Sequence, residues 1–323
     1  MKKIYLLAIA VLALAFVSLS LGATSVSDVW ASILNPNFGS SEISDQIIWQ
    51  IRAPRIVGAV VLGAILAIAG VLAQGSTNNP LADPAFLGTT AGAALGVVIG
   101  VLTNAVNIAS IGAIGWATCG ALLSTLLTFW LARNAMQLII IGIAVSATLT
   151  ALVGIAITIA DRSDVRSVTF WSLGSLSLLT WSNIALLVVV AIVVFASARI
   201  LSPQLDLLSL GDAQVRHSGR SPQRIRLIAF LILSVAIATS VSQVGTISFL
   251  ALAAPHIARF LIGPRHRYLV GAAAVIGALI LLIADTAARS VAPPQDLPIG
   301  LLISLIGAPV LIVALKRGGV QWR

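Results

Sequence analysis

The sequence predicts an all-α integral membrane protein of about ten transmembrane helices, with both termini on the cytoplasmic side. Three observations carry this. Apolar residues make up 59% of the 323 positions and charged residues only 9%, against roughly 25% in ordinary soluble domains. The apolar residues gather into runs near the ~20 residues that a helix needs to cross a ~30 Å hydrocarbon core. The basic residues are shared unequally between alternate loops, as the positive-inside rule demands. The same composition excludes a soluble globule, a disordered chain and a coiled coil.

The spans follow in order at 4–22, 56–74, 87–104, 111–131, 137–160, 181–199, 227–244, 247–262, 268–288 and 298–315. The first follows Lys2 and Lys3 and imitates a signal peptide, with Ala23 near a cleavage position. Its run continues to Leu21 and many spans follow, so it reads as a membrane helix. The second carries Gly58, Ala59, Gly63, Ala67 and Gly70 at spacings that let another helix approach closely. Cys119, the single cysteine, falls in an apolar run and reads as a small buried residue without a redox role. The stretch 165–179 is too short and polar to cross and suits a short helix at the outer face. The longest cytoplasmic loop is 200–226, whose centre, between Pro203 and Pro222, suits a short helix. Gly245 is the only obvious breaker between the spans 227–244 and 247–262. The spans leave no room for a large soluble domain, so 1–323 is expected to be one transmembrane domain.

With the N-terminus inside, 14 of the 19 Lys and Arg residues are cytoplasmic, and Arg52, Arg55, Arg162, Arg166 and Arg289 lie outside. Of the acids, Asp83, Asp206 and Asp212 lie inside and the other seven outside. The formal charge of +9 is therefore topology, with no nucleic-acid partner expected.

Absences narrow the chemistry. Glu42 is the sole glutamate, so no HExxH motif exists, and His217, His256 and His266 are scattered. There is no GxSxG elbow. The three lysines lie at the termini, so no phosphate-binding Gly-x4-Gly-Lys loop exists and the chain is expected to be no enzyme. Asp285 alone falls plausibly within a span, where it reads as a helix-end partner of Arg289, four positions on. An ion-coupled secondary transporter, which usually needs ionisable groups facing the bundle interior, is the more distant alternative.

Three polar segments stand out. Gln74-Gly-Ser-Thr-Asn-Asn-Pro-Leu-Ala-Asp-Pro84 ends the second span, and Pro80 and Pro84 bar helix there. Irregular backbone at that depth must be buried in protein or line a wet cavity, which tilts this segment towards a pathway-lining turn. Residues 241–259 place Pro255 and His256 inside an apolar run. Residues 284–309 bring Arg289 to the same outer face as Arg52 and Arg55, where three arginines suit acidic groups or lipid phosphate.

Together these segments resemble the permease subunits of ABC importers for iron-siderophores, haem and vitamin B12, the FecCD-type or BtuC-like permeases. The matching residues are Arg52-Ala-Pro-Arg55, Gly63 to Gly70 leading to Gln74, Asn79-Pro-Leu-Ala-Asp-Pro84, Trp171-Ser-Leu-Gly-Ser175 and Leu210-Gly-Asp212. They continue with Val244-Gly-Thr-Ile-Ser-Phe249, Ala254-Pro-His-Ile-Ala-Arg259, Asp285, Arg289, Leu297-Pro-Ile-Gly300 and Gly307-Ala-Pro309. The resemblance implies a type II importer permease fold in the cell's inner membrane. It implies a second permease subunit, identical or paralogous, a cytoplasmic ATPase dimer that holds the ATP, and an extracytoplasmic binding protein. No cofactor or metal is implied in this chain. Arg52, Arg55 and Arg289 match the family's docking positions for the binding protein. Gln74, Asn79, Pro80 and Leu81 match the pathway and its cytoplasmic gate. Leu210, Gly211, Asp212, Val215, Arg216 and Gly219 match the segment that couples to the ATPase. The cargo implied is an iron-siderophore, with haem or cobalamin as the alternative. One departure falls in the coupling segment, where Val215 and Ser218 replace the family's usual alanine and leucine.

Overall fold

The computed structural model describes residues 2–22, 29–34, 42–160, 162–293 and 295–317. Ala23, Asp28, Asp161, Arg323 and the loop residues 35–41 lie outside the described residues. The described chain is helical: α1 (Lys2–Ser20), α2 (Val29–Leu34), α3 (Ile43–Gln46), a π-helical stretch Ile47–Arg52, α4 (Ala53–Thr77), a 3-10 turn Pro84–Leu87, α5 (Thr89–Leu102), α6 (Ile111–Leu131) and α7 (Ala135–Ile159). There follow α8 (Arg162–Ser172), α9 (Trp181–Leu208), α10 (Asp212–His217), α11 (Pro222–Val244), α12 (Leu250–Ile262), α13 (His266–Ala288) and α14 (Ile299–Arg317). Each of the ten expected spans has its helix. The loops assigned to the cytoplasm by charge converge at one end, hereafter the inner end. The opposite end carries α8 and Arg55 and is the outer end.

Several boundaries differ from the expectation. Helix begins at Ile43 rather than 56, because the π-helical stretch Ile47–Arg52, whose last bond runs from Ala53 N–H to Ile48 O, carries α3 into α4 ahead of Pro54. Helix α9 continues past 199 through Pro203 to Leu208. Helix α12 starts at Leu250 rather than 247, because Gly245 (φ 74°) and Phe249 (φ 65°) are left-handed. Helix α8 ends at Ser172, and left-handed Gly174 turns the chain back. Cys119 is exposed on α6 rather than buried. At ~1.5 Å per residue, α5 and α12 are each too short to cross alone. Each is preceded by irregular backbone, the Pro84–Leu87 turn before α5 and residues 245–249 before α12, in which Pro84, Leu87 and Ile247 are buried.

Helix α4 is the hub, buried along most of its length and packed on α13, α11, α9 and α12. Its glycines permit this. A Cβ on Gly63 would meet the Gly277 carbonyl oxygen at 2.4 Å, and one on Gly70 would meet that of Ala251 at 1.8 Å. The small-residue stripe is thus a backbone-to-backbone contact, the kind that packs helices where hydrophobic driving force is weak. Helices α1 and α7 lie at the periphery, with most of their side chains facing outward.

Candidate functional site

At the inner end, α4 stops at Thr77 because Asn78 turns left-handed (φ 51°) and donates its N–H to the Gln74 carbonyl. The Asn79 N–H reaches the same carbonyl at 3.1 Å. The Asn79 side chain accepts from Leu81 N–H at 2.9 Å, an Asx turn that presents Pro80 and Leu81 half-exposed. Asp83 then caps the 3-10 turn by accepting from Ala85 N–H at 2.8 Å. Burial pushes the Asp83 carboxyl up to about 6, against the opposing pull of that N–H. The Ser146 hydroxyl donates to Ala85 O at 3.0 Å and pins the turn to α7. Gln74, expected to line the pathway, is instead buried. Its amide donates to Leu252 O at 3.3 Å and its carbonyl accepts from Arg259 at 2.9 Å, tying α4 to α12.

The coupling segment follows α9. Leu210 is 68% exposed, and Gly211 (φ 100°, ψ 156°) makes the turn into α10. Arg216, His217 and Gly219 (φ 74°) are exposed, whereas Val215 is fully buried against the chain. Val215 therefore anchors α10 rather than offering an outward contact. The Ser218 hydroxyl donates to Val215 O at 2.7 Å, so the departure at this position is met within the helix's own last turn. Asp212 is held by Arg226 through paired bonds of 2.6 and 2.9 Å. Those bonds draw its carboxyl below the usual carboxylate range. Asp206, at the end of α9, accepts from His266 Nδ1 at 2.6 Å and from its backbone N–H at 2.9 Å.

At the outer end, Arg52, Arg55 and Arg289 do converge, but they turn inward. Arg55 donates to Asp285 at 2.5 Å and to Asp296 at 2.6 Å. Arg289 lies 3.4 Å from Asp285 and donates to Leu21 O at 2.7 Å and Ser18 O at 2.6 Å. Arg52 donates to Leu19 O at 2.6 Å. All three are less than a tenth exposed, against the expectation of an open basic face. The expected Asp285–Arg289 pair is present, yet the shorter contact is to Arg55, which lies 230 positions away. Nearby, three segments singled out in the sequence are knitted together. Ser175 N–H donates to Val244 O and Ile299 N–H to Gly174 O, each at 2.9 Å, and Thr246 donates to Ser172 O at 2.7 Å.

The arrangement has a hydrogen-bonded turn and an exposed basic segment at one end and an ionic clamp at the other. Sequence reasoning missed Arg226, Asp206, His266 and Asp296 as members of these clusters. Arg226 was visible only as one of five arginines between 199 and 226. No periodicity links it to Asp212.

Comparisons with known proteins agree with this architecture. The chain is 35% identical over 309 residues to the iron(3+)-hydroxamate import system permease protein FhuB of Bacillus subtilis, covering 94% of this chain and 80% of that protein. It is 35% identical over 318 residues to the hemin transport system permease protein HmuU of Yersinia pestis, covering 94% and 92%. A solved inward-facing structure of a metal-chelate type ABC transporter superposes with a TM-score of 0.87 at 28% identity, covering 98% of this chain and 99% of that one. The model of the FecCD transport family matches residues 7–317, and the chain belongs to that family.

Proposed function

We propose that the chain is the membrane-spanning permease subunit of an ATP-driven importer. It would translocate an iron-siderophore complex across the inner membrane, delivered by an extracytoplasmic binding protein. The observation that carries this reading is the inner end. An exposed basic segment around α10 stands beside the Asn79-Pro80-Leu81 turn, on a chain with no phosphate-binding loop of its own. A cytoplasmic ATPase dimer supplies the energy through Leu210, Gly211, Asp212, Arg216 and Gly219, with Val215 as the anchor. A second permease subunit completes the pathway, which Asn79, Pro80 and Leu81 close at the inner end, with Gln74 bracing the turn.

The outer end receives the binding protein. Arg52, Arg55 and Arg289 are gathered there beside Asp285 and Asp296, at the positions the family uses for docking. Replacing Arg52 by Gln is expected to weaken binding-protein affinity several-fold in the assembled transporter. Unchanged affinity would remove Arg52 from the docking site.

Uptake of a radio-iron siderophore by cells whose own importer genes are deleted tests the cargo. Expression of this chain with its ATPase and binding protein should restore accumulation. The hemin relative is as similar as the hydroxamate one, so haem is the second reading. Restoration of haem uptake alone would select it.

A further inference from the structure

We infer that Arg226 is the positioning residue that transmits movement of α10 to the inner turn. This rests on the coupling reading above and goes beyond it, because it names the link between the two parts. Arg226 sits one turn into α11, with its side chain only 6% exposed. Its donors are divided between two other elements. Nη1 and Nη2 grip both oxygens of Asp212, the first residue of α10, at 2.9 and 2.6 Å. Nε donates to the Ser76 carbonyl at 3.0 Å, one residue before the end of α4.

Each contact has a physical reason. The last four carbonyls of a helix lack internal partners, and the negative end of its dipole favours a cation. The Gln74 carbonyl is taken by Asn78 and Asn79, and the Ser76 carbonyl is taken by Arg226. The hydroxyls of Ser76 and Thr77 bond back into α4, to Leu72 O and Ala73 O, and do not compete. Both sides of the link are hinged. Gly211, whose backbone conformation is essentially restricted to glycine, precedes Asp212, and left-handed Asn78 follows Thr77. Beside the link lies a pocket of about 560 Å³ whose lining includes Asn78, Asn79, Asn134, Gly211, Asp212 and Arg226. Displacing α10 therefore pulls on a rigid guanidinium fork that also holds the root of the turn. A lysine, as a single point charge, cannot keep both grips at once.

The test uses the permease assembled with its ATPase and binding protein in proteoliposomes. Arg226→Lys is expected to leave ATP hydrolysis within about two-fold of wild type while transport per ATP falls at least ten-fold. The charge swap Asp212→Arg with Arg226→Asp restores an ion pair but leaves the Ser76 carbonyl without its donor, and should not rescue transport. Hydrogen exchange of peptide 78–88 gives a readout independent of flux. Nucleotide binding to the ATPase should change its protection in wild type and not in Arg226→Lys. Normal transport per ATP in Arg226→Lys, full rescue by the swap, or an unchanged exchange response would each overturn the inference. A wild-type assembly that fails to transport with ATP would overturn the importer reading and this inference with it.

Discussion

The two ends of the molecule use arginine in opposite ways. At the outer end Arg52, Arg55 and Arg289 are buried and spent largely on partners within the chain, Asp285 foremost. At the inner end Arg216, Arg220 and Arg224 stand exposed, and among the described arginines there Arg226 alone is buried, bridging α10 and α4. A charge held inside the fold stabilises only while its partners remain, and removing one leaves an uncompensated ion. A charge left in water adds little stability and remains available to another protein. The outer cluster thus joins α1, α4, α13 and the Asp296 segment into one body, while the inner end leaves Arg216, Arg220 and Arg224 exposed.

The largest expected effect breaks the outer clamp. Asp285→Ala leaves Arg55 and Arg289 without their shared carboxylate, at a cost of about 3–5 kcal/mol. The yield of folded, monodisperse protein in detergent should drop sharply, and wild-type yield would show that the cluster is not holding the helices together.

Asp83 belongs to the inner turn but behaves as a buried group. Its carboxyl is raised from 3.8 to about 6, so the folded state holds its proton more tightly than the unfolded chain does. The contribution of Asp83 to stability is then greatest below pH 4, declines as pH rises through 6 and is level above. Asp83→Asn, neutral at every pH, should match wild type in unfolding free energy near pH 4 and exceed it above pH 6, by about 3 kcal/mol at most. A gap that does not change between pH 4 and 7 would contradict the burial of an uncompensated carboxylate.

Gly211 sharpens the contrast from the other side. Nothing lies within 4 Å of where its Cβ would sit, so the obstacle to a side chain is backbone conformation alone. Gly211→Ala is expected to cost about 1–3 kcal/mol, confined to the entry into α10. Association with the ATPase should weaken while the melting of the helical body stays put. The smallest effect belongs to exposed Arg216. Arg216→Gln should change stability by under about 0.5 kcal/mol and still reduce ATPase association measurably in a pull-down. A large loss of stability would place Arg216 with the outer arginines.

Much of this was legible in the sequence, for identifiable reasons. Membrane helices are announced by apolar length, and the unequal Lys and Arg content of the loops orients them. The stripe from Gly58 to Gly70 foretold a close helix contact, and Gly63 against Gly277 is that contact. The turn at Asn79-Pro80 was foretold by a proline that cannot continue a helix. What failed were long-range pairings and degrees of burial. Arg55 and Asp285 are 230 positions apart, and no local rule distinguishes an arginine facing water from one facing a buried aspartate. Val215 looked like a contact because it lies in the coupling segment, and only the packing of α10 shows that it points inward. The span expected to end at 199 runs on through Pro203 to Leu208.

The central claim is that this chain moves its cargo with energy delivered from outside it at the inner end. The direct measurement is cargo uptake into proteoliposomes holding the permease, its ATPase and its binding protein, with the energy source varied. Uptake should require ATP and the binding protein, and persist when an ionophore collapses the proton gradient. Uptake that continues with an inactive ATPase and stops with the ionophore would contradict the account.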